Sequence, residues 1–431
     1  MQDGAHDPAF RIHEGDARAR RHGSGPERRE ERADPDERHR HVRLFLQSPS
    51  FLHAQRQFGT RRGRAGALAL FGIGTIACAG QFRRTPDGVP PGHAGPLFHH
   101  VHAELERSGA LAPLCRAGGR LLVAAGGTEY VSSTEIGCPN RRAQEKKDGS
   151  IGKYHAMTGA GIVVPGGSGP LPLPPGLVRP RDGAGKQDCE LVAARRWSGR
   201  VGPRGGKAEA GPSGDDIHCC RPIREAMRSA GGNVLPTCRP GSRTTPCEWI
   251  QGARIDSLRR TERSGRKRKC HYHTRWMHDL PLGDGADAMH ADRLGAAGAP
   301  ENGGRLCHGS LATDLPAGRD DIAEPAACAR ARRSVENSVF GELKKLCHPE
   351  HDSGHGKATL ASVPATFDLI TLLMQSACEM VCDGWQAARR RLVARCRMPD
   401  HMKLPACHVV LRDRDEYLLT ITTNELPEHP P

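Results

Sequence analysis

The sequence predicts an α/β protein in which a mixed sheet is preceded and followed by helical regions. Short β-type runs at Leu121–Ala125 and Ile162–Val164 are followed by a helix-compatible stretch at 186–197, and such alternation is typical of α/β domains. Apolar residues at helical spacing, separated by Pro and Gly, predict a small helical region over 44–114. Toward the carboxyl end an amphipathic helix is predicted over Phe367–Trp385, with five apolar side chains on one face: Phe367, Ile370, Met374, Ala377 and Val381.

Between these regions, residues 254–280 predict a basic, strand-like insert and residues 330–346 predict a polar helix. The segment 1–43 carries ten Arg and ten Asp or Glu with almost no apolar residue. Such a segment cannot bury enough apolar surface to offset its ordering entropy, so we expect a disordered polyampholyte there.

Composition and charge restrict the class of protein. The 52 glycines and 33 prolines make up about a fifth of the 431 residues, and aromatic residues only 4%, which is poor material for a tight core. The net charge of +14 favours an anionic partner such as nucleic acid. No run of about 20 apolar residues predicts a membrane span, and the start, MQDGAHDPAF, lacks a secretory signal. We therefore expect a cytoplasmic protein whose 16 cysteines are buried thiols or ligands.

Two motifs weakly indicate a ligand site, one for a dinucleotide and one for a metal ion. The segment Gly72–Ala77 fits a G-x-G-x-x-A dinucleotide fingerprint, but the preceding chain is helical in pattern and no acidic residue lies about 20 positions on, so a helix-breaking loop is the better explanation. Ligand-like spacing also occurs among Cys and His residues, although paired C-x-x-C knuckles are missing and buried thiols are the simpler explanation. The residues concerned are His348, His351, His355, Cys219, Cys220, Cys270 and His273.

A basic run interleaved with aromatic residues predicts a surface that follows nucleic-acid phosphates. Its cations alternate with two side chains able to stack on bases, Tyr272 and Trp276. The alternative is a solvated basic strand. The cations are Arg263, Arg266, Lys267, Arg268, Lys269 and Arg275.

Acidic residues suggest a phosphoryl-transfer site. Asp215 and Asp216 follow a Gly and precede a helix-like segment, and Arg332 and Glu336 are one helical turn apart, with Lys344 further along. Metal-dependent chemistry on DNA needs carboxylates that hold divalent cations and basic side chains that hold phosphates. Surface salt bridges are the simpler explanation of the same residues.

The chain resembles DDE-type insertion-sequence transposases of the group called ISNCY. The likeness runs in collinear order over about 44–385 and is carried by these blocks: GRLLVAAGGTEYVSSTEIGCPN (119–140), KDGSIGKYHAMTGAGIVVPG (147–166), PLPPGLVRPRDGAGKQDCELVAARRW (172–197), GDDIHCCRPIREAMRSAGGN (214–233), CRPGSRTTPCEWI (238–250), RKCHYHTRWMHDLPLGDGADA (268–288), RARRSVENSVFGELKK (330–345) and HPEHDSGHG (348–356).

The resemblance implies an RNase H-like fold with an Asp, Asp, Glu triad that binds two Mg²⁺ or Mn²⁺ ions. The second Asp falls on Asp215, the Glu on Glu336, and the first Asp on Gly126, so one expected metal ligand is missing. Arg332 and Lys344 match the basic positions around the Glu. The expected DNA-binding residues are Arg266, Lys267, Arg268, Lys269, Arg332 and Lys344.

Other departures indicate a degenerate copy. Pro212 falls on the strand expected before Asp215, Pro236 falls on the next strand, and Arg141 replaces the second Cys of a C-P-x-C pair. A proline cannot donate to the ladder of a central strand, and several such substitutions together exceed the stability of an ordinary domain.

The expected organisation has a disordered segment at 1–43, a helical region at 44–115, an RNase H-like domain at 116–360 with a basic β-rich insertion at about 251–320, and a helical region at 361–431. The expected function is binding of double-stranded DNA with catalytically impaired cleavage and strand transfer in DNA transposition. Two alternatives stay open: a non-catalytic basic DNA-binding remnant, and translation of a decayed reading frame without function. A homodimer is an open possibility.

Overall fold

The structure is a computed structural model, and the predicted disordered segment 1–43 lies outside the residues it describes. The described residues are 48, 50–76, 78, 80, 87–116, 119–133, 141–145, 147–167, 169–178, 190–201, 211–213, 221, 224–225, 229, 233, 235–238, 255–264, 268–281, 290–300, 307–315, 318–332, 335–347, 359–392 and 397–427.

The amino-terminal region is helical. Helix α1 (Phe51–Phe58) begins at Ser50, whose hydroxyl accepts a hydrogen bond from the His53 amide, and α2 (Arg61–Phe71) begins at Thr60 in the same way. Helix α2 ends at Gly72 in the left-handed conformation, with a φ of 65°. A short 3₁₀ turn then leads into α3 (Gly95–Arg107). The G-x-G-x-x-A segment therefore begins as a helix cap, which favours the loop explanation over a dinucleotide site.

A mixed sheet lies at the centre of the fold, and the α/β class is confirmed. Its strands are β1 (Leu122–Ser133), β2 (Arg142–Glu145), β3 (Ile151–Ile162), β4 (Leu171–Pro172), β5 (Gly176–Leu177) and β6 (Gly211–Ser213). β1 is antiparallel to β3 and parallel to β6, while β2, β4 and β5 pair with β3. Helix α4 (Glu190–Val201) packs against β3 and β5.

The predicted position of the strand β3 is wrong. The apolar run Ile162–Val164 was predicted as a strand, but β3 ends at Ile162 and extends eleven residues before it. Those residues include Gly159 and Gly161, which depress strand propensity and hide the element from pattern analysis.

Among the described strands, Pro212 does not interrupt a central one, which differs from the prediction. β6 pairs with β1 through Leu122 to Ala124 opposite Gly211 to Ser213, and among the described strands it lies at the edge of the sheet. An edge strand tolerates a residue that lacks an amide hydrogen.

A second sheet of four antiparallel strands follows. Its strands are β7 (Asp256–Ser264), β8 (Arg268–Pro281), β9 (His290–Pro300) and β10 (Cys307–Thr313), in the spatial order β10-β9-β8-β7. The segment around Pro236 joins it: the Pro236 carbonyl accepts from the Ala312 amide at 3.1 Å, and the Cys238 amide donates to the Ser310 carbonyl at 2.7 Å. The ladder uses the carbonyl of Pro236, so its missing amide hydrogen costs nothing here.

The polar helix predicted over 330–346 is divided and partly buried. Helix α5 (Ala323–Ala331) ends first, and two π-helical segments follow, Val335–Phe340 and Leu343–Cys347. We call Val335–Phe340 the Glu336 segment. Val335, Val339, Phe340 and Leu343 are at most 5% exposed, because this region packs on the main sheet instead of facing solvent on all sides.

Four helices complete the chain: α6 (Ser362–Val381), α7 (Asp383–Leu392), α8 (Met398–His408) and α9 (Arg414–Thr423). Helix α6 starts five residues before the predicted amphipathic helix, ends four residues earlier, and is buried almost all round. Several of its buried polar residues are Ser or Thr, and the Thr366 hydroxyl donates to the Ser362 carbonyl at 2.8 Å, which satisfies this hydroxyl within the helix.

One apolar cluster connects these parts, with Phe58 from α1, Val123 from β1, Phe340 from the Glu336 segment and Leu369 from α6 among its members. The Tyr130 and Ser362 hydroxyls, 3.1 Å apart, join β1 to α6. No single helix in the described ranges is long and apolar enough to cross a membrane; α6 and α7 pass that test only as a pair bent by 100°.

Candidate functional site

Gly126, the position that the resemblance assigns to the first Asp, lies under the Glu336 segment. Gly126 is buried in the middle of β1 and pairs with Gly159 on β3. A Cβ on Gly126 would lie 3.6 Å from Phe340 Cε2 and 3.9 Å from Val335 Cγ1, whereas a Cβ on Gly159 would lie 2.3 Å from Phe340 Cε1. The Phe340 ring therefore covers a pair of glycines on adjacent strands, and Gly159 leaves the space that the ring occupies.

The carboxylate of Glu336 lies on the same segment as Phe340 and is paired with a cation. Arg332 Nη1 is 3.0 Å from Glu336 Oε1, and the Arg332 side chain is 10% exposed while that of Glu336 is 45% exposed. The predicted contact between these two residues is thus present, with Arg332 just after the end of α5 and Glu336 in a π-helical segment. Lys344 lies on the next segment and is exposed.

The second predicted carboxylate, Asp215, lies outside the described residues, as does Asp216. The neighbouring strand pairing is nevertheless informative, because Ser213 on β6 is the partner of Ala124 on β1. In sequence, Asp215 follows Ser213 by two residues and Gly126 follows Ala124 by two residues.

The residues described at this position do not fit a two-ion site. Gly126 offers no ligand, its Cβ direction points at Phe340 and Val335, and one oxygen of Glu336 is held by Arg332. A divalent ion of the Mg²⁺ type needs several oxygen ligands in near-octahedral geometry. Within the described part of the chain, no group of three His, Cys, Asp or Glu side chains could hold a metal.

One Cys–His pair that the zinc hypothesis requires cannot bind a common metal ion. Cys270 and His273 both lie on β8, three residues apart, so they face opposite sides of the sheet. Cys219, Cys220 and the three histidines at 348, 351 and 355 lie outside the described residues. Elsewhere, burial raises the pKa of the Cys328 thiol to about 11 and that of Cys407 to about 12, as expected for inert buried thiols.

The basic run forms a hairpin of β7 and β8, but its aromatic residues do not serve as predicted. Trp276 is 3% exposed and belongs to the core. Tyr272 is partly buried, and the Arg330 guanidinium lies 4.0 Å from its ring centroid. Neither ring is an open platform for a base, because the pairing of β8 turns both toward the covered face. Arg266 and Lys267 lie outside the described residues, Arg268 begins β8, and Lys269 is exposed.

Arg330 links this hairpin to the region of Glu336. Besides covering Tyr272, its Nη2 lies 3.4 Å from Glu262 Oε2 on β7. Arg330 is two residues before Arg332. A cation held against an aromatic face and a carboxylate fixes the end of α5 on the second sheet.

Sequence reasoning missed Gly159, Phe340 and Arg330. The block KYHAMTGAGIVV carries small residues within a strand, a pattern that signals close approach of another element. No spacing rule identifies Arg330, because its partners are 58 and 68 residues away in sequence and meet it only through the sheet register.

No protein-family model matches this chain, and no curated protein matches it. The functional assignment therefore depends on the motifs and on the geometry described above.

Proposed function

We propose that the chain is a transposase-derived protein that binds double-stranded DNA and is impaired in metal-dependent phosphodiester cleavage and strand transfer. The observation that carries the proposal is the position of Gly126 on a strand inside the mixed sheet, beneath the segment that bears Glu336. A strand parallel to β1 on one side and an antiparallel partner on the other are compatible with an RNase H-like sheet. The equal two-residue offsets of Gly126 and Asp215 support their assignment to one site.

Impairment follows from the same geometry. The missing Asp would have supplied a carboxylate shared between two ions, and the remaining Glu336 is paired with Arg332. We therefore expect DNA binding without a divalent ion and no metal-dependent cleavage.

A non-catalytic DNA-binding remnant is the second candidate, favoured by the exposed cations of the β7–β8 hairpin. Titration of the full chain with a fluorescein-labelled duplex, in EDTA and in Mg²⁺, tests DNA binding for both candidates. Binding in EDTA is expected, and failure to bind in either buffer would contradict both. A non-cooperative thermal transition would instead favour a decayed reading frame.

Calorimetric titration with Mn²⁺ separates the first two candidates. Gly126→Asp is expected to raise the affinity for Mn²⁺ at least several-fold, since it restores an oxygen ligand, whereas the steric control Gly126→Ala leaves it unchanged. Equal heats for a folded Gly126→Asp and Gly126→Ala would mean that no ion site persists beside Gly126 and would favour the non-catalytic remnant.

A further inference from the structure

Strand alternation sorts the β7–β8 hairpin into two chemically different faces. Arg259 pairs with His273, Thr261 with His271, and Ser257 with Arg275, so these side chains share one face. We call it the outer face; Lys269 also lies on it, and all of these residues are exposed except His273, which is partly exposed. The acids Asp256 and Glu262 pair with Trp276 and Cys270 on the opposite, covered face.

The spacing of the outer face suits a phosphate backbone. Alternate residues on one strand are about 6.8 Å apart. Each strand of duplex DNA carries one phosphate per about 3.4 Å of helix axis, so side chains about 6.8 Å apart can contact separate phosphates. Hydroxyls and imidazoles between the cations add hydrogen-bonding groups for phosphate oxygens: the Thr261 Oγ1 is 2.9 Å from the His271 Nδ1.

The outer face is too broad to read bases. The sheet has four strands, which span about 14 Å between the axes of β7 and β10, while the major groove is about 12 Å wide and admits a two-stranded ribbon. On β9 the register partners of Arg275, His273 and His271 are Gly295, Ala297 and Ala299. Gly295 places no side chain beside Arg275 on that face.

The aromatic residues favour duplex over single-stranded partners. Binding of unpaired nucleotides relies on open aromatic rings for stacking. Here Trp276 is in the core and Arg330 covers Tyr272.

We propose that the outer face of the β7–β8 hairpin binds the phosphate backbone of duplex DNA without reading its sequence. This rests on the proposed DNA-binding function and adds which face binds, to which atoms, and with what specificity.

Neighbouring arginines supply a matched test. Arg259 and Arg260 are both exposed on β7, but Arg260 pairs with Tyr272 and therefore lies on the opposite face. Fluorescence anisotropy of the full chain with two labelled duplexes of unrelated sequence is measured over a range of salt concentrations. Arg259→Ala and Arg275→Ala are each expected to lower the slope of log affinity against log salt by about 0.9, equally for both duplexes, whereas Arg260→Ala leaves the slope unchanged.

A variant that should bind DNA more tightly distinguishes the loss of a phosphate contact from misfolding. Thr261→Lys adds a cation to the outer face and is expected to raise the slope by about 0.9. Equal losses for Arg259→Ala and Arg260→Ala, a loss confined to one duplex, or tighter binding of a single strand would overturn the inference while leaving DNA binding intact. Absence of duplex binding by the unmutated chain would overturn the proposed function and this inference together.

Discussion

Phe340 lies over Gly159, and a single methyl group on that glycine would come within 2.3 Å of the ring. The same ring is 3.6 Å from the Cβ position of Gly126 on the adjacent strand, an ordinary contact distance. Gly126 and Gly159 pair in register, but only Gly126 can accommodate an added Cβ atom without a clash. The ring is 5% exposed and packs the Glu336 segment onto the sheet, so the spacing between Glu336 and β1 depends on this contact.

The two glycines should respond differently to alanine. Gly159→Ala is expected to lower the free energy of unfolding by about 1–3 kcal/mol, because the Phe340 ring must leave its position. Gly126→Ala is expected to be neutral or slightly stabilising, because the methyl group fits and the unfolded chain loses freedom. Urea denaturation measures both. Adding Phe340→Leu to Gly159→Ala should recover part of the loss, and equal losses from the two alanine variants would show that the ring does not distinguish the glycines.

Arg330 should stabilise the contact between α5 and the second sheet. Arg330→Met keeps the length of the side chain but removes the cation that lies against Tyr272 and Glu262. In a double-mutant cycle with Tyr272→Leu we expect a coupling of about 0.5–2 kcal/mol in the free energy of unfolding. The exposed Arg260→Met is the control and should change stability little. Additive effects of the two substitutions would mean that the ring and the guanidinium do not interact.

His102 should make the fold sensitive to acid. Burial lowers the pKa of His102 to about 4, and its Nε2 lies 3.0 Å from the Pro172 carbonyl, which joins α3 to β4. The ordinary pKa is 6.5, so between pH 6.5 and 4 the unfolded chain binds more protons than the folded chain. Stability from this residue is therefore complete above pH 6.5 and falls as the pH drops through that window, by on the order of 2 kcal/mol.

Thermal melts from pH 7 to pH 4 check this. His102→Gln, which cannot take up a proton, should show a shallower loss of Tm on acidification than the unmutated chain. His93→Gln, at an exposed position, should follow the unmutated curve. Parallel curves for all three proteins would remove His102 as a source of the pH dependence.

The sequence locates several of the elements but not the faces that they bury. Helical spacing with Pro and Gly breaks locates α1 and α2, and the apolar run Leu121–Ala125 locates β1. Trp276 was predicted as a stacking group and proves to be core, because a strand's register decides which of its alternate faces is covered.

Gly126 illustrates the same limit at the site. The resemblance assigns a carboxylate to its position, but only the pairing with Gly159 and the contact with Phe340 define what occupies the surrounding space. Pro212 and Pro236 looked equally disruptive in sequence. Both are accommodated because one is on an edge strand and the other contributes its carbonyl.

The most direct test of the account is nicking of supercoiled plasmid by the full chain in Mg²⁺ or Mn²⁺, with Asp215→Ala as control. Because Gly126 supplies no carboxylate, we predict no metal-dependent nicking by the unmutated chain, and some recovery in Gly126→Asp provided that this variant melts cooperatively. Nicking by the unmutated chain that Asp215→Ala abolishes would contradict the account and indicate a substitute ligand, for which the exposed Glu129 on β1 is the candidate.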